Sequence, residues 1–143
     1  MSRLLRFAIL FVGLAVINAC QNYTSGLQQS VVRADETAAL ALIRTISMAE
    51  KTYSLSHEGE YATLQQLVDA GFLDARYAGA KPLKDYVITL RVTPGGPAGS
   101  YSCNVDPDKV GERVGRHFYV ESTTDGIHVN DSQPASATDK LIE

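Results

Sequence analysis

The chain has 143 residues, room for one globular domain of ordinary size. Hydrophobic residues make up 45% and charged residues 20%, enough apolar material for a core. A formal net charge of -3 argues against a nucleic acid as partner, and two cysteines are too few for a disulfide-stapled fold.

The amino end carries a basic start, Arg3 and Arg6, and then residues 7–17, apolar or glycine throughout. That run has the length of a signal-peptide core; a membrane-spanning helix needs roughly 20 apolar residues. It leads into Ile17-Asn18-Ala19-Cys20. An aliphatic residue three before a cysteine, with a small residue just before it, resembles the lipobox of bacterial lipoproteins; Asn18 is an unusual middle residue for it. The resemblance implies that residues 1–19 are removed and that Cys20 carries a diacylglyceryl thioether. The thiol is the nucleophile that takes the lipid, and each buried methylene of the acyl chains contributes about 0.8 kcal/mol of membrane affinity. Two other readings stay open: an ordinary signal peptide ending at Ala19, and a Cys20–Cys103 disulfide. Gln21 in place of Asp points, by the same resemblance, to the outer membrane facing the periplasm. Loss of residues 1–19 removes Arg3 and Arg6 and no acid, so the remainder is more acidic than the whole chain. An anionic lipid surface repels such a domain, and the lipid must do the anchoring.

Residues 20–34 read as the lipidated cysteine and a polar tether, with Gly26 among Ser, Gln and Asn. A helix is expected from residue 31 or 35 to residue 57. Asp35 and Glu36 would lie in its first turn, where the helix dipole favours acids, and Gly59 would cap its end. Ala39, Leu42, Ile43, Ile46, Ala49 and Tyr53 share one face at helical spacing, which predicts burial. Ala34, Ala41, Met48 and Leu55 recur every seven residues on the opposite side, beside Arg44 and Lys51. That thin strip is either an ordinary solvent-facing side or a docking seam through Met48 and Leu55 for a partner helix. Thr63 and Gln66 have capping-box spacing, Leu64, Leu67 and Val68 give a short helix its buried face, and Gly71 ends it.

The periodicity then changes. Tyr86, Ile88, Leu90 and Val92 alternate along a first strand. The run 94–99 is a Pro/Gly loop, and residues 101–105 and 117–120 are further strands. Thr124-Asp125-Gly126 turns the chain into residues 127–129, a fourth strand. Residues 131–143, rich in Ser, Pro, Ala, Thr and Asp, are expected to be a disordered tail. The fold class is therefore α+β: a long N-terminal amphipathic helix packed on a small antiparallel sheet of three to four strands, over residues 35–130.

The order of these parts resembles the globular half of a type IV pilin or a type II secretion pseudopilin. Ala39-Leu40-Ala41-Leu42-Ile43-Arg44-Thr45-Ile46 with Ala49, Glu50, Lys51 and Tyr53 resembles the second half of the pilin spine helix. Gly59-Glu60-Tyr61, then Leu64-Gln65-Gln66-Leu67 and Gly71-Phe72-Leu73, resembles the segment after it. Asp85-Tyr86-Val87 opens the sheet, and Phe118-Tyr119-Val120 with Asp125-Gly126-Ile127 resembles the closing hairpin. The leader cleavage site and the Glu near the mature start, which pilins carry, have no counterpart here, which puts polymerisation in doubt. The implied role is a non-enzymatic lipoprotein that presents a pilin-like domain, with a secretion or pilus assembly as protein partner. A pseudopilin subunit with an aberrant leader and a small periplasmic ligand-binding domain are the alternatives.

Chemistry-bearing residues are few. Asn104, Asp106 and Asp108 alternate as oxygen donors of the kind Ca²⁺ takes, and some pseudopilins hold calcium in the sheet region. Pro107 interrupts the run and the EF-hand glycine and glutamate are missing, so a solvated acidic turn is the favoured reading and no cofactor is expected. His57, His117 and His128 read as exposed residues without a third ligand. Cys103 reads as a small buried hydrophobe. Six of the seven tyrosines (53, 61, 77, 86, 101 and 119) would edge a core or form a polar-aromatic surface.

Overall fold

The computed structural model describes residues 2–79, 82–108, 115–124 and 126–142, with side chains from residue 26 onward except residue 28. The chain divides into two compact units, Met1–Ala34 and Asp35–Glu143. Helix α1 spans Ser2–Ser56, and its part before Asp35 makes up the first unit. The stretch 21–34, expected as a polar tether, is thus helical. Its Gln, Ser and Arg side chains do not oppose a helix, it contains no proline, and the lone Gly26 costs only about 1 kcal/mol. Within this stretch Ser30 Oγ donates back to the Leu27 carbonyl at 2.7 Å. Asp35 and Glu36 are consequently not first-turn residues. Glu36 instead reaches across the second unit to Arg116, accepting from its backbone N–H at 3.0 Å and from Nε at 3.3 Å.

In the second unit the α1 stripe is buried as its spacing requires. Ala39, Ile43 and Ile46 are fully enclosed, with Leu42 and Ala49 nearly so. The helix ends after Ser56, where Gly59 N–H closes back on the Ser54 carbonyl at 2.9 Å. Gly59 takes φ 88°, and Glu58 before it takes φ 54°, the one non-glycine among the described residues in the left-handed region. Helix α2, Leu64–Asp69, carries the expected capping box: Thr63 Oγ1 accepts from Gln66 N–H at 3.3 Å and Gln66 Oε1 accepts from Thr63 N–H at 2.9 Å. A 3-10 turn at Ala75–Ala78 follows.

The sheet is an antiparallel meander in strict chain order: β1 Tyr86–Thr93, β2 Ser100–Pro107, β3 His117–Glu121, β4 His128–Asn130 and β5 Lys140–Leu141. It has five strands, not three to four. The fifth comes from the segment expected to be disordered, and two features fix that segment. Ala135 is buried, its carbonyl accepting from Asn104 Nδ2 at 2.8 Å, and Ile142 packs on the core with its N–H on the Ile127 carbonyl at 2.9 Å. The polar composition favours disorder, but one small and one large apolar side chain at the right places outweigh it. Leu90↔Cys103 and Cys103↔Val120 set the register of the three long strands. One sheet face, with Ile88, Cys103, Val105, Phe118 and Val120, meets the α1 stripe in a single core. Full burial of a side chain such as Phe118 or Ile43 contributes about 1.5–3 kcal/mol.

Candidate functional site

Strand alternation splits β2 into two chemistries. Tyr101, Cys103 and Val105 face α1; the Tyr101 hydroxyl donates to Ser47 Oγ at 3.1 Å. Ser102, Asn104 and Asp106 face the other way and meet polar partners from β1, β3 and the C-terminal segment. Asn104 stands opposite Tyr119, and Tyr119 opposite His128. The next row holds Asp106, His117 and Asn130, with Asp106 Oδ1 and His117 Nδ1 at 2.7 Å.

This face is knit by side chains. Glu121 accepts from the hydroxyls of Thr123 and Tyr119, and these bonds hold its carboxyl below the usual range. The Tyr119 phenol is pushed up to about 12 by burial and by its bond to Glu121. Asp139 binds Asn130 Nδ2 at 2.8 Å through one oxygen and Ser136 N–H and Oγ at 2.8 Å through the other. His128 Nδ1 lies 2.9 Å from the Asp139 carbonyl, which can only accept, so this nitrogen carries the proton. Its Nε2 is buried without a hydrogen-bond partner.

Of the three oxygen donors considered for calcium, Asn104 and Asp106 lie on this face and are already engaged. Asn104 is nearly buried; its Nδ2 binds Ala135, and its Oδ1 accepts from Arg91 Nη1 at 3.4 Å. Asp106 is paired with His117, while Asp108 is exposed beyond the end of β2. Among the described residues, no group of three or more His, Cys, Asp or Glu is placed to hold a metal ion. The histidines are not the exposed residues expected. His128 is buried, His117 is half-buried, and His57 stacks on Tyr53 with ring centroids 3.7 Å apart.

On α1, Met48 and Leu55 are 69% and 89% exposed, the two most open large apolar side chains described. Cys20 lies within α1, and its side chain, with those of residues 1–19, falls outside the described side chains. Among the described residues no helix is long and apolar enough to cross a membrane. Cys103 is a free, fully buried thiol, and burial pushes its ionisation well above the ordinary range, so the thiolate form a nucleophile needs is suppressed. Tyr86 and Tyr101 are buried in the core and Tyr53, Tyr61 and Tyr77 pack at its edge, whereas Tyr119 lies on the polar face. Tyr61 lies against Tyr101 at 5.0 Å, and Tyr86 donates to the Arg116 carbonyl at 3.2 Å.

Sequence reasoning missed Glu50. It is fully buried, with Oε2 accepting from Ala62 N–H at 3.0 Å and Oε1 without a partner. The signal was present: position 50 lies four residues after Ile46 and seven after Ile43, on the apolar stripe. Burial lifts its carboxyl to about 7, opposed by the Ala62 hydrogen bond. The chain matches no protein family, no curated protein and no solved structure.

Proposed function

We propose that this chain is an exported, lipid-anchored protein that presents a small α+β domain of pilin-like design in a structural or interaction role, linked to secretion or pilus-type machinery. The observation that carries the reading is Ile17-Asn18-Ala19-Cys20 after a basic start and an apolar run. The helix-on-meander architecture of Asp35–Glu143 supports the pilin-like part, since a spine helix covering an antiparallel sheet is the arrangement the resemblance implies. The anchor would be acyl chains on Cys20, inserted in a membrane whose periplasmic side the domain faces.

One observation favours the pseudopilin alternative: α1 includes residues 21–34, where a polar tether is expected. A helix there suits a subunit whose amino end is part of a spine. Mass spectrometry of the amino-terminal peptide of the membrane-fraction protein separates the two. A diacylated or triacylated Cys20, lost together with membrane association in Cys20→Ser, supports the anchor. An N-methylated terminus without lipid would establish the pseudopilin reading instead.

A further inference from the structure

We propose that Glu50 is a proton-operated latch for the corner joining α1 to α2, closed when its carboxyl is neutral and released when it ionises. One hydrogen bond ties the corner to the helix. It is stronger to a carboxylate than to a neutral carboxyl, so the drive to release on ionisation is the charge placed on the sealed second oxygen, which outweighs it. Glu50 projects from α1 into the core, and its Oε2 takes the N–H of Ala62, itself fully buried. This bond joins the helix to the far end of residues 57–63. The other oxygen, Oε1, is sealed from solvent with no partner.

The surroundings make ionisation costly. From β2 come Tyr101 and Cys103, whose ionisation is pushed up chiefly by burial and further by the Glu50 charge within reach of both. From the corner, Tyr61 lies against Tyr101, and on the far side of β2 Asp106 adds a negative charge felt at Cys103. The corner's own charged groups are Glu58 and Glu60, both exposed and acidic, and His57, stacked on Tyr53. Among the described residues no cation offsets the carboxylate, and burial dominates in holding the carboxyl up to about 7. An ionised oxygen with no donor demands water.

The corner is the element able to yield. Glu58 sits at φ 54°, strained for a side chain with a Cβ, and releasing the corner relieves it. Opening there admits water to Oε1 and unseats Tyr61 from Tyr101. The direction follows from linkage: the closed corner holds its proton more tightly than the open one, so closure is favoured at low pH and lost as pH rises through about 7. Between the ordinary carboxylate range and that value, each pH step of one multiplies the opening constant by about ten.

Hydrogen–deuterium exchange of the full chain, read on peptides covering residues 57–63 and corrected for intrinsic exchange, tests this. Between pH 5 and pH 8 the opening constant should rise more than about tenfold and then level off. Glu50→Gln, which keeps an oxygen for Ala62 but cannot ionise, should remove the pH dependence. A carbon-13 titration of the Glu50 carboxyl in the unmodified chain gives an answer even if that variant folds poorly, with a midpoint near 7 expected. A flat wild-type profile, a Gln variant with the wild-type slope, or a carboxyl that titrates in the ordinary range overturns the latch.

Discussion

Two glycines at the ends of successive helices separate backbone conformation from packing. Gly59 and Gly71 both occupy the left-handed region, at φ 88° and 79°. A Cβ on Gly71 meets nothing within 4 Å, whereas one on Gly59 falls 2.9 Å from Cα and 3.1 Å from N of Pro97. Those are backbone atoms of a rigid ring, and they cannot rotate away. Gly71→Ala therefore costs only the conformational term, about 1 kcal/mol. Gly59→Ala adds an overpacking term of about 1–3 kcal/mol, for a total of about 2–4 kcal/mol. Urea unfolding followed by tyrosine emission, uncomplicated by tryptophan because the chain has none, reads both. With a slope of about 2 kcal/mol per molar urea, the midpoint should fall by about 0.5 M for Gly71→Ala and about 1–2 M for Gly59→Ala. Equal shifts would refute the claim that the turn holding Pro97 is packed against the α1 corner.

Phe118→Ala empties the centre of β3 and should cost about 3–5 kcal/mol, measured by the same unfolding curves. Asn104→Ala removes the bond to the Ala135 carbonyl, at a cost of about 1–2 kcal/mol, and limited proteolysis should then cut within residues 131–139 sooner than in wild type. In global stability, Glu50 should act against the fold at high pH. Its folded value near 7 exceeds the unfolded 4.5, so the fold should lose up to about 3 kcal/mol from pH 4 to pH 8, a loss that Glu50→Gln abolishes. Identical pH profiles in urea would contradict this.

Periodic features were the legible ones. The α1 stripe and the alternation along β1 follow from spacing that repeats several times and that burial enforces; the capping box at Thr63 follows from one pair of side chains whose local hydrogen bonds need no distant partner. What escaped was decided by single contacts. The segment after Asp131 looks like a polar tail until Ala135 and Ile142 find places on the sheet, and no local pattern announces that. Asn104, Asp106 and Asp108 read as alternating oxygen donors, but the partners of the first two, Ala135 and His117, lie 31 and 11 residues away, and only the fold brings them together. Glu50 sat on the predicted buried face; its charge type, not its position, hid it. The start of α1 was least readable, since nothing polar in residues 21–34 forbids helix.

The strict chain order of the meander bears on how the domain is assembled. Each strand pairs with the next in sequence, so the sheet can form from local hairpins, which is kinetically easy. Its apolar face, by contrast, is covered by residues 39–49, some 40 to 80 positions upstream. A chain whose strands have paired before that helix docks displays Ile88, Val105, Phe118 and Val120 as one continuous sticky surface. If the sheet completes first, exposure to self-association is greatest neither in the unfolded chain nor in the finished domain, but in the interval before the helix covers that face.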